Sequence, residues 1–206
     1  MARTRIMLVE GQDDLHVVSA LCQQHVMPDV FDLVDMKGVR PLLEGLRIRL
    51  RVGSGIENLA VVVDADENIE TRWDQIQDLL VKAGCGDVPD EVPRDGLVVK
   101  APRGIRVGIW LMPDNQVPGM LEDLMTFLIP ESDPLLPLVD SFLAEIANEH
   151  RRFRPQHAPK ARIHAWLAVQ EQPGRPLGQA ITYKYLDGTC PAVQPFMAWI
   201  RRALVD

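Results

Sequence analysis

The sequence predicts an α/β protein whose mostly parallel central sheet is flanked by helices, with a helical extension at its C-terminal end. Three observations lead to this prediction. Short apolar runs alternate with amphipathic stretches in the order β-α-β-α-β-α-β-β-α, which is typical of a doubly wound sheet. The run from Leu59 to Val63 is apolar without a break and holds three valines, as expected for a strand buried on both faces. After Pro130 the strand-like runs stop and helical spacing takes over.

Size and composition are those of an ordinary soluble globular protein. The chain has 206 residues, of which 47% are hydrophobic and 25% are charged. We expect an α/β core over 1–130 and a helical extension over 131–206, packed on the core as a single structural unit. The sequence has no stretch that could cross a membrane and no signal-peptide pattern, and its three cysteines are widely spaced. These features predict a cytoplasmic protein.

The charge balance restricts the class of function. The formal net charge of −7 argues against a protein that coats nucleic acid without specificity, since such proteins are usually basic. It does not exclude a nuclease, because a carboxylate metal centre itself supplies negative charge that bound ions then neutralise.

The first half of the chain contains three predicted strand–helix pairs. Each strand is a short apolar run, and each helix is an amphipathic stretch bounded by glycine or by polar capping residues. The strands are Arg5 to Glu10, Phe31 to Met36 and Leu59 to Val63, and the helices are Leu15 to His25, Pro41 to Val52 (ended by Gly53-Ser54-Gly55) and Ile69 to Ala83.

The second half adds two strands and then helices. Asp87 to Gly96 is rich in acids and proline and should form a surface loop. The structure of the segment from Leu177 to Tyr185 stays undecided. The remaining predictions are strands at Leu97 to Ala101 and Arg106 to Met112, and helices at Met120 to Ile129, Leu135 to His150, Ala158 to Gln170 and Phe196 to Leu204.

Carboxylates follow three of the predicted strands, at Glu10, at Asp64 with Asp66, and at Asp114. Because the carboxyl ends of parallel strands meet at one edge of a sheet, these acids can share one pocket. Asp64 and Asp66 point the same way if the extended conformation persists between them. Anions placed so close repel each other unless a cation lies between them, and hard oxygen ligands select Mg²⁺ or Mn²⁺.

Each acid also has a purely structural explanation. Asp66 can cap the helix that follows it, Glu10 can face solvent at a strand end, and Asp114 can begin a β-turn with Asn115. We favour the metal site because chance explains a single acid at a strand end much better than it explains acids at the ends of three strands that meet at one edge.

Glu10, Asp64 and Asp66 would hold a first ion, and Asp114, Glu122 and Asp123 are candidates for a second ion or its outer shell. Glu122 and Asp123 also have a structural explanation. They can complement the dipole of the helix that they begin.

Two stretches resemble the Toprim domain of topoisomerases, bacterial primases and overcoming-lysogenization-defect (OLD) nucleases. They are LVEGQDD, which contains Glu10, and VVVDAD, which contains Asp64 and Asp66. The resemblance implies a Toprim-like Rossmannoid sheet in which the glutamate is a general acid/base or metal ligand and the aspartate pair holds Mg²⁺. Asn68 occupies the position of the third acid in the topoisomerase D-x-D-x-D form, which argues against a topoisomerase function.

A second resemblance covers nearly the whole chain and is to small stand-alone Toprim-related proteins of prokaryotes with no assigned activity. From this sequence we expect no tyrosine-bearing cleavage domain, since its two tyrosines are Tyr183 and Tyr185, and no zinc-binding domain or primase-sized partner region. The matching stretches are GIWLMPDN (108–115), GMLEDL (119–124) and KARIHAWLAVQEQPGRPLGQAI (160–181).

The cation that we favour for a scissile phosphate is Lys160. It lies in the stretch shared with the stand-alone proteins, and the resemblance implies a charge-stabilising role like that of a lysine in OLD-type nucleases. Alternatively, it is a solvated surface lysine. Lys37 is predicted at the same edge of the sheet and is a second option. Two arginine groups could track a phosphate backbone or simply lie on solvated faces. They are Arg47, Arg49 and Arg51, and Arg151, Arg152 and Arg154.

These observations predict a Mg²⁺- or Mn²⁺-dependent phosphodiesterase, in particular a Toprim/OLD-type nuclease acting on DNA or RNA. The predicted catalytic residues are Glu10, Asp64, Asp66 and Lys160, and the predicted metal ligands are Glu10, Asp64, Asp66, Asp114 and Glu122.

The sequence does not decide the partners of the chain or exclude two alternative functions. OLD-type systems couple such a domain to an ATPase, and this chain has no G-x-x-x-x-G-K-[ST] loop. An ABC- or AAA-type ATPase would therefore be a separate protein, and a homodimer is a further expectation. One alternative function is a noncatalytic module that binds a nucleotide or nucleic acid or regulates an ATPase partner. Another is a phosphohydrolase acting on a small molecule.

Overall fold

The computed structural model of the chain describes residues 3–51 and 55–206. Its centre is a five-stranded sheet with the order β2-β1-β3-β5-β4. Neighbouring strands are parallel except for β4, which runs antiparallel to β5 at the edge. The strands are β1 (Arg5–Val9), β2 (Asp32–Asp35), β3 (Asn58–Asp64), β4 (Leu97–Lys100) and β5 (Arg106–Met112).

Helices connect the strands and form the C-terminal part of the chain. Short 3-10 turns lie at Pro102–Gly104, Asn148–His150, Pro155–His157 and Pro191–Val193. The helices are α1 (Gln12–Gln24), α2 (Val39–Arg49), α3 (Ile69–Lys82), α4 (Leu121–Phe127), α5 (Leu136–Glu145), α6 (Ala158–Ala168), α7 (Leu177–Thr182) and α8 (Gln194–Ile200), which continues as a π-helical turn over Arg201–Val205.

The central strand β3 divides the interior into two cores. Because successive side chains of a strand point to opposite faces, Leu59, Val61 and Val63 pack with α2 and α3. Ala60 and Val62 face the other core, to which α1, α4 and α6 to α8 contribute. Both faces of β3 are buried, which is why its sequence is an unbroken apolar run.

The α/β class predicted from the sequence is confirmed, and the largest differences lie at element ends. Strand β5 has the predicted bounds, whereas β1 stops at Val9 and so leaves Glu10 just beyond the strand. The undecided segment from Leu177 forms a helix. The predicted helix over Leu135 to His150 breaks at Ile146, whose backbone is extended. Helix α2 ends at Arg49, and the predicted stop at 53–54 lies outside the described residues.

The C-terminal helices pack on the sheet itself. Phe196 and Trp199 of α8 form an aromatic cluster with Trp110 of β5, with ring centroids 5.1–5.8 Å apart. Among the described residues, none of the helices has both the length and the apolar composition that a membrane crossing requires. The three cysteines of the chain are free thiols.

Candidate metal centre

Glu10 and Asp64 meet at the carboxyl ends of the adjacent parallel strands β1 and β3. The strands are paired with Val9 opposite Val62, so the two acids follow at the same edge. The carboxylate of Glu10 accepts a hydrogen bond from the backbone N–H of Asp64 at 3.4 Å. Asp64 in turn accepts one from the N–H of Leu121, at the start of α4, at 3.0 Å. The sheet register therefore brings together two acids that are 54 residues apart in the chain.

Two more acids enter the same space from helix N-termini. Asp14, in the first turn of α1, is only 7% exposed and accepts a hydrogen bond from the N–H of Gly11 at 3.1 Å. Its other oxygen, Oδ1, is buried without a hydrogen-bond partner. Glu122, in the first turn of α4, is 3% exposed and pairs with the Lys160 ammonium at 3.0 Å. Both helix N-termini favour negative charge nearby.

These groups surround one open pocket of about 420 Å³. Its wall is strongly acidic, and Lys160 and Lys37 are the lysines on it. The pocket lies outside the carboxyl ends of the parallel strands, where open α/β sheets place their ligands. The lining residues are Glu10, Gly11, Gln12, Asp13, Asp14, Asp35, Lys37, Gly38, Asp64, Leu121, Glu122 and Lys160.

The acids raise one another's pKa values. Burial is the main cause for Asp64, and the charges of Asp14, Glu10 and Glu122 add to it, so its pKa lies well above the usual value. Burial and the charge of Glu10 raise the pKa of Asp14 to about 7. Burial also raises the pKa of Glu10, against the opposing hydrogen bond from Asp64. The pocket therefore holds more negative charge than its own cations offset.

The negative charge of the pocket also raises the pKa of Lys160, which for a lysine favours the charged form. Burial lowers its pKa, but the hydrogen bond to Glu122 and the charges of Glu122, Asp13 and Asp64 together raise it above the usual lysine value. The ammonium therefore stays charged at neutral pH and offsets part of the surrounding negative charge.

The donor chemistry of the pocket suits a hard divalent cation. Carboxylate oxygens are the ligands that Mg²⁺ and Mn²⁺ prefer, and one of them, Oδ1 of Asp14, is buried without a partner. Among residues 3–51 and 55–206, no group of three or more His, Cys, Asp or Glu side chains is already arranged to hold a metal ion. The acids therefore match a metal in type and charge, and binding would require their side chains to move closer together.

Asp66 lies beside this pocket rather than in its wall. The strand ends at Asp64, and Asp66 has a left-handed backbone with φ of 56°, so the extended conformation does not persist between the two. The carboxylate of Asp66 pairs with the Arg72 guanidinium, which also donates to the backbone oxygen of Asp64 at 2.9 Å. Its charge still adds to the raised pKa values of Glu10 and Asp64.

Asp114 and Asp123 make local backbone contacts. Asp114 accepts hydrogen bonds from the N–H groups of Gln116 and Val117 at 3.0 and 3.2 Å, which closes the turn after β5. Asp123 accepts one from the N–H of Met120 at 2.9 Å at the start of α4. Neither residue lines the pocket of Glu10 and Asp64. The structure thus brings Glu10, Asp64, Glu122 and Lys160 together and leaves Asp114 outside.

Asp14 is the site residue that sequence reasoning missed as a candidate ligand, although it lies within the LVEGQDD stretch. The helical spacing between Asp14 and the apolar residues that follow it did indicate that Asp14 points inward. Val17, Val18 and Leu21 lie three, four and seven positions further along the helix and are all buried. An acid on the same stripe as these residues must point inward. The usual preference for acids in a first helical turn hides this signal.

Comparison with known proteins identifies the family. The family model described as "Protein of unknown function (DUF3226)" matches residues 4–205. The chain belongs to the DUF3226 family. No curated protein matches the chain.

Solved structures similar to this DUF3226 chain come from the OLD protein of Xanthomonas campestris pv. campestris. One structure of its C-terminal region, phased with mercury, has a TM-score of 0.50 at 15% identity, with 98% of this chain and 96% of that chain covered. A second, phased with iodine, has a TM-score of 0.51 at 13% identity, with coverage of 98% and 95%. At these identities the likeness concerns the fold.

Proposed function

We propose that this DUF3226 protein is a Mg²⁺- or Mn²⁺-dependent phosphodiesterase, and in particular a nuclease acting on DNA or RNA. The observation that carries the proposal is the pocket in which Glu10, Asp14, Asp64 and Glu122 converge around Lys160. The fold shared with the C-terminal region of the OLD protein and the Toprim-like sequence motifs support the same function.

In this proposal Glu10, Asp14, Asp64 and Glu122 would hold the ion. Asp66 would add negative charge from beside the pocket. A bound Mg²⁺ would supply polarisation of a phosphoryl oxygen and a lowered pKa for a coordinated water. Lys160 would bind a phosphate oxygen and offset charge that develops there, because its ammonium reaches the pocket while half of its side chain stays exposed.

A small-molecule phosphohydrolase is a second candidate because the pocket is compact. A volume of about 420 Å³ lies in the range of small-ligand sites. Small phosphoesters therefore belong in the same substrate panel as polynucleotides.

The test is cleavage of supercoiled plasmid, single-stranded DNA, RNA and small phosphoesters with Mg²⁺ or Mn²⁺. We expect turnover that Glu10→Gln and Asp64→Asn each abolish. Asp114→Asn is the matched control, since its carboxylate lies outside the pocket and asparagine can keep the turn. Turnover that survives both site substitutions would contradict the assignment. Tight metal binding without turnover on the whole panel would instead favour the noncatalytic module, to which a separate ATPase could dock.

A further inference from the structure

A second large cavity lies at the opposite end of the sheet from the acids. Its volume is about 770 Å³, and it is enclosed by the C-terminal ends of α2 and α3, the entry to β3 and the turn before β5. Ile56 precedes β3 and Asp64 ends it, so the cavity and the acidic pocket are separated by roughly 23 Å, the length of a seven-residue strand. The two sites therefore have no lining residue in common.

The floor of this cavity is apolar. Leu50 belongs to the buried core, and Leu79, Ala83 and Ile105 are half-buried residues that pack against the same core. Pro102 closes one side. An apolar floor between two helix ends can take a flat apolar group of a ligand.

The rim of the cavity is basic. Arg47, Arg51, Lys82 and Arg103 line it, and none of the described lining residues is acidic. This contrasts with the net charge of −7 of the whole chain. A concentration of positive charge on an acidic protein indicates attraction of an anion to this place.

Two of these cations lack an ion pair among the described residues, although the charge of Arg51 adds to the lowering of the Glu44 pKa by Arg47. Arg47 pairs with Glu44 at 2.5 Å and Lys82 with Asp78 at 2.5 Å, both within their own helices. Within the described ranges Arg51 and Arg103 form no ion pair. The Arg103 backbone is left-handed, with φ of 66°, in the turn before β5. A guanidinium binds phosphate oxygens through two parallel hydrogen bonds and also stacks on flat rings.

We propose that this cavity binds a nucleotide, with its phosphates on Arg51 and Arg103 and its base on the apolar floor formed by Leu50, Leu79 and Ala83. The cavity volume, its apolar floor and its basic rim together match a ligand that is flat and apolar at one end and anionic at the other.

The experiment is calorimetric titration of the full chain with ATP and ADP in EDTA, with adenosine and tripolyphosphate as separate probes. We expect saturable binding of ATP and ADP, binding at least ten-fold weaker for tripolyphosphate, and none for adenosine. The double variant Arg51→Gln with Arg103→Gln should lose at least ten-fold in affinity. Arg152→Gln, an exposed arginine outside the cavity, is the matched control and should bind as the parent does.

Two further variants separate this site from the acidic pocket and from general charge effects. Glu10→Gln with Asp64→Asn should leave ATP binding unchanged. Ala83→Phe should block the floor and weaken ATP binding, with circular dichroism confirming the fold. The proposal is overturned if neither nucleotide saturates the protein, if tripolyphosphate binds as tightly as ATP, or if the arginine double variant binds as the parent does.

Discussion

At the residue scale, among the acids that line the pocket, Glu10, Asp14, Asp64 and Glu122 differ from ordinary surface acids because they are held close together and partly or fully away from water. Asp14 is the sharpest case, with one oxygen bound to a backbone N–H and the other without a partner. Burial and the charge of Glu10 raise its pKa to about 7. The metal-free fold therefore favours a protonated Asp14, and each unit of pKa shift corresponds to about 1.36 kcal/mol.

This predicts a pH-dependent effect of Asp14→Asn. In the folded chain Asp14 binds its proton more tightly than in the unfolded chain, so its contribution to stability is full below pH 4 and is lost as the pH rises through 7. In EDTA, Asp14→Asn should be neutral at pH 4 and stabilising at pH 8, by up to about 4 kcal/mol.

Urea unfolding at several pH values measures this effect. Asp13→Asn is the control because Asp13 is an exposed neighbour, and it should stay within about 0.5 kcal/mol of the parent. Equal effects of Asp14→Asn at pH 4 and pH 8 would mean that its carboxylate is not held among other acids.

Lys160 gives a second prediction at this scale. Its ammonium partners a Glu122 side chain that is almost fully buried, so Lys160→Gln should destabilise the metal-free protein at pH 8 by about 1–2 kcal/mol. The same change should tighten Mn²⁺ binding several-fold, because a competing cation is removed from the acids. Calorimetric Mn²⁺ titration and urea unfolding measure the two effects, with Lys100→Gln as the exposed-lysine control. Weaker Mn²⁺ binding by the variant would show that Lys160 does not compete with the ion.

At the element scale, the location of α1 decides where Asp14 lies, and α7 holds α1 in place. Gly178 at the start of α7 packs against the backbone of His16 so closely that an added Cβ would lie 2.7 Å from its carbonyl oxygen. This contact allows the two helices to approach each other behind the pocket.

Gly178→Ala should therefore push α7 away from α1 and destabilise the protein by about 1–3 kcal/mol. Thermal or urea unfolding measures this loss. Gly86→Ala is the matched control, since an added Cβ there meets nothing within 4 Å. If the two variants have equal stability, the close packing of α7 on α1 is not rigid.

The residues at the ends of strands and helices show which parts of the site the sequence could predict and which it could not. Parallel strands β1 and β3 had clear apolar patterns, so the meeting of Glu10 and Asp64 at one edge followed from the fold class. The location of Asp66 did not follow, because its left-handed backbone depends on contacts with Gly119 and Arg72 that no local pattern shows. Asn68, rather than Asp66, caps α3 by accepting from the N–H of Thr71 at 2.6 Å.

At the scale of the whole molecule, the C-terminal turn closes the sheet at the end opposite the acids. The side chain of Asn58, at the start of β3, donates to the carbonyl of Ala203 at 2.8 Å. Arg5 donates to the carbonyls of Leu204 and Val205, and Arg106 to that of Arg202. Partners 96 to 200 positions apart leave no local trace in the sequence, so these contacts could not be predicted.

Asn58→Ala should destabilise the protein by about 1–3 kcal/mol, because it leaves the buried carbonyl of Ala203 without this donor. Glu57→Gln, at the exposed neighbouring position, should change stability by less than about 0.5 kcal/mol. Chemical unfolding of both variants measures the difference. A loss for Asn58→Ala no larger than that of the control would show that the C-terminal turn does not depend on this bond.

A crystal soaked in Mn²⁺ tests whether the acids at the carboxyl ends of β1 and β3 and in the first turns of α1 and α4 share one divalent cation. We predict an anomalous peak within about 2.3 Å of carboxylate oxygens of Glu10 and Asp64. Asp14 or Glu122 should provide a further ligand of the same ion, and no peak should lie next to Asp114. The absence of a peak in this pocket, or a peak bound only by acids outside it, would show that these acids do not form a shared metal site.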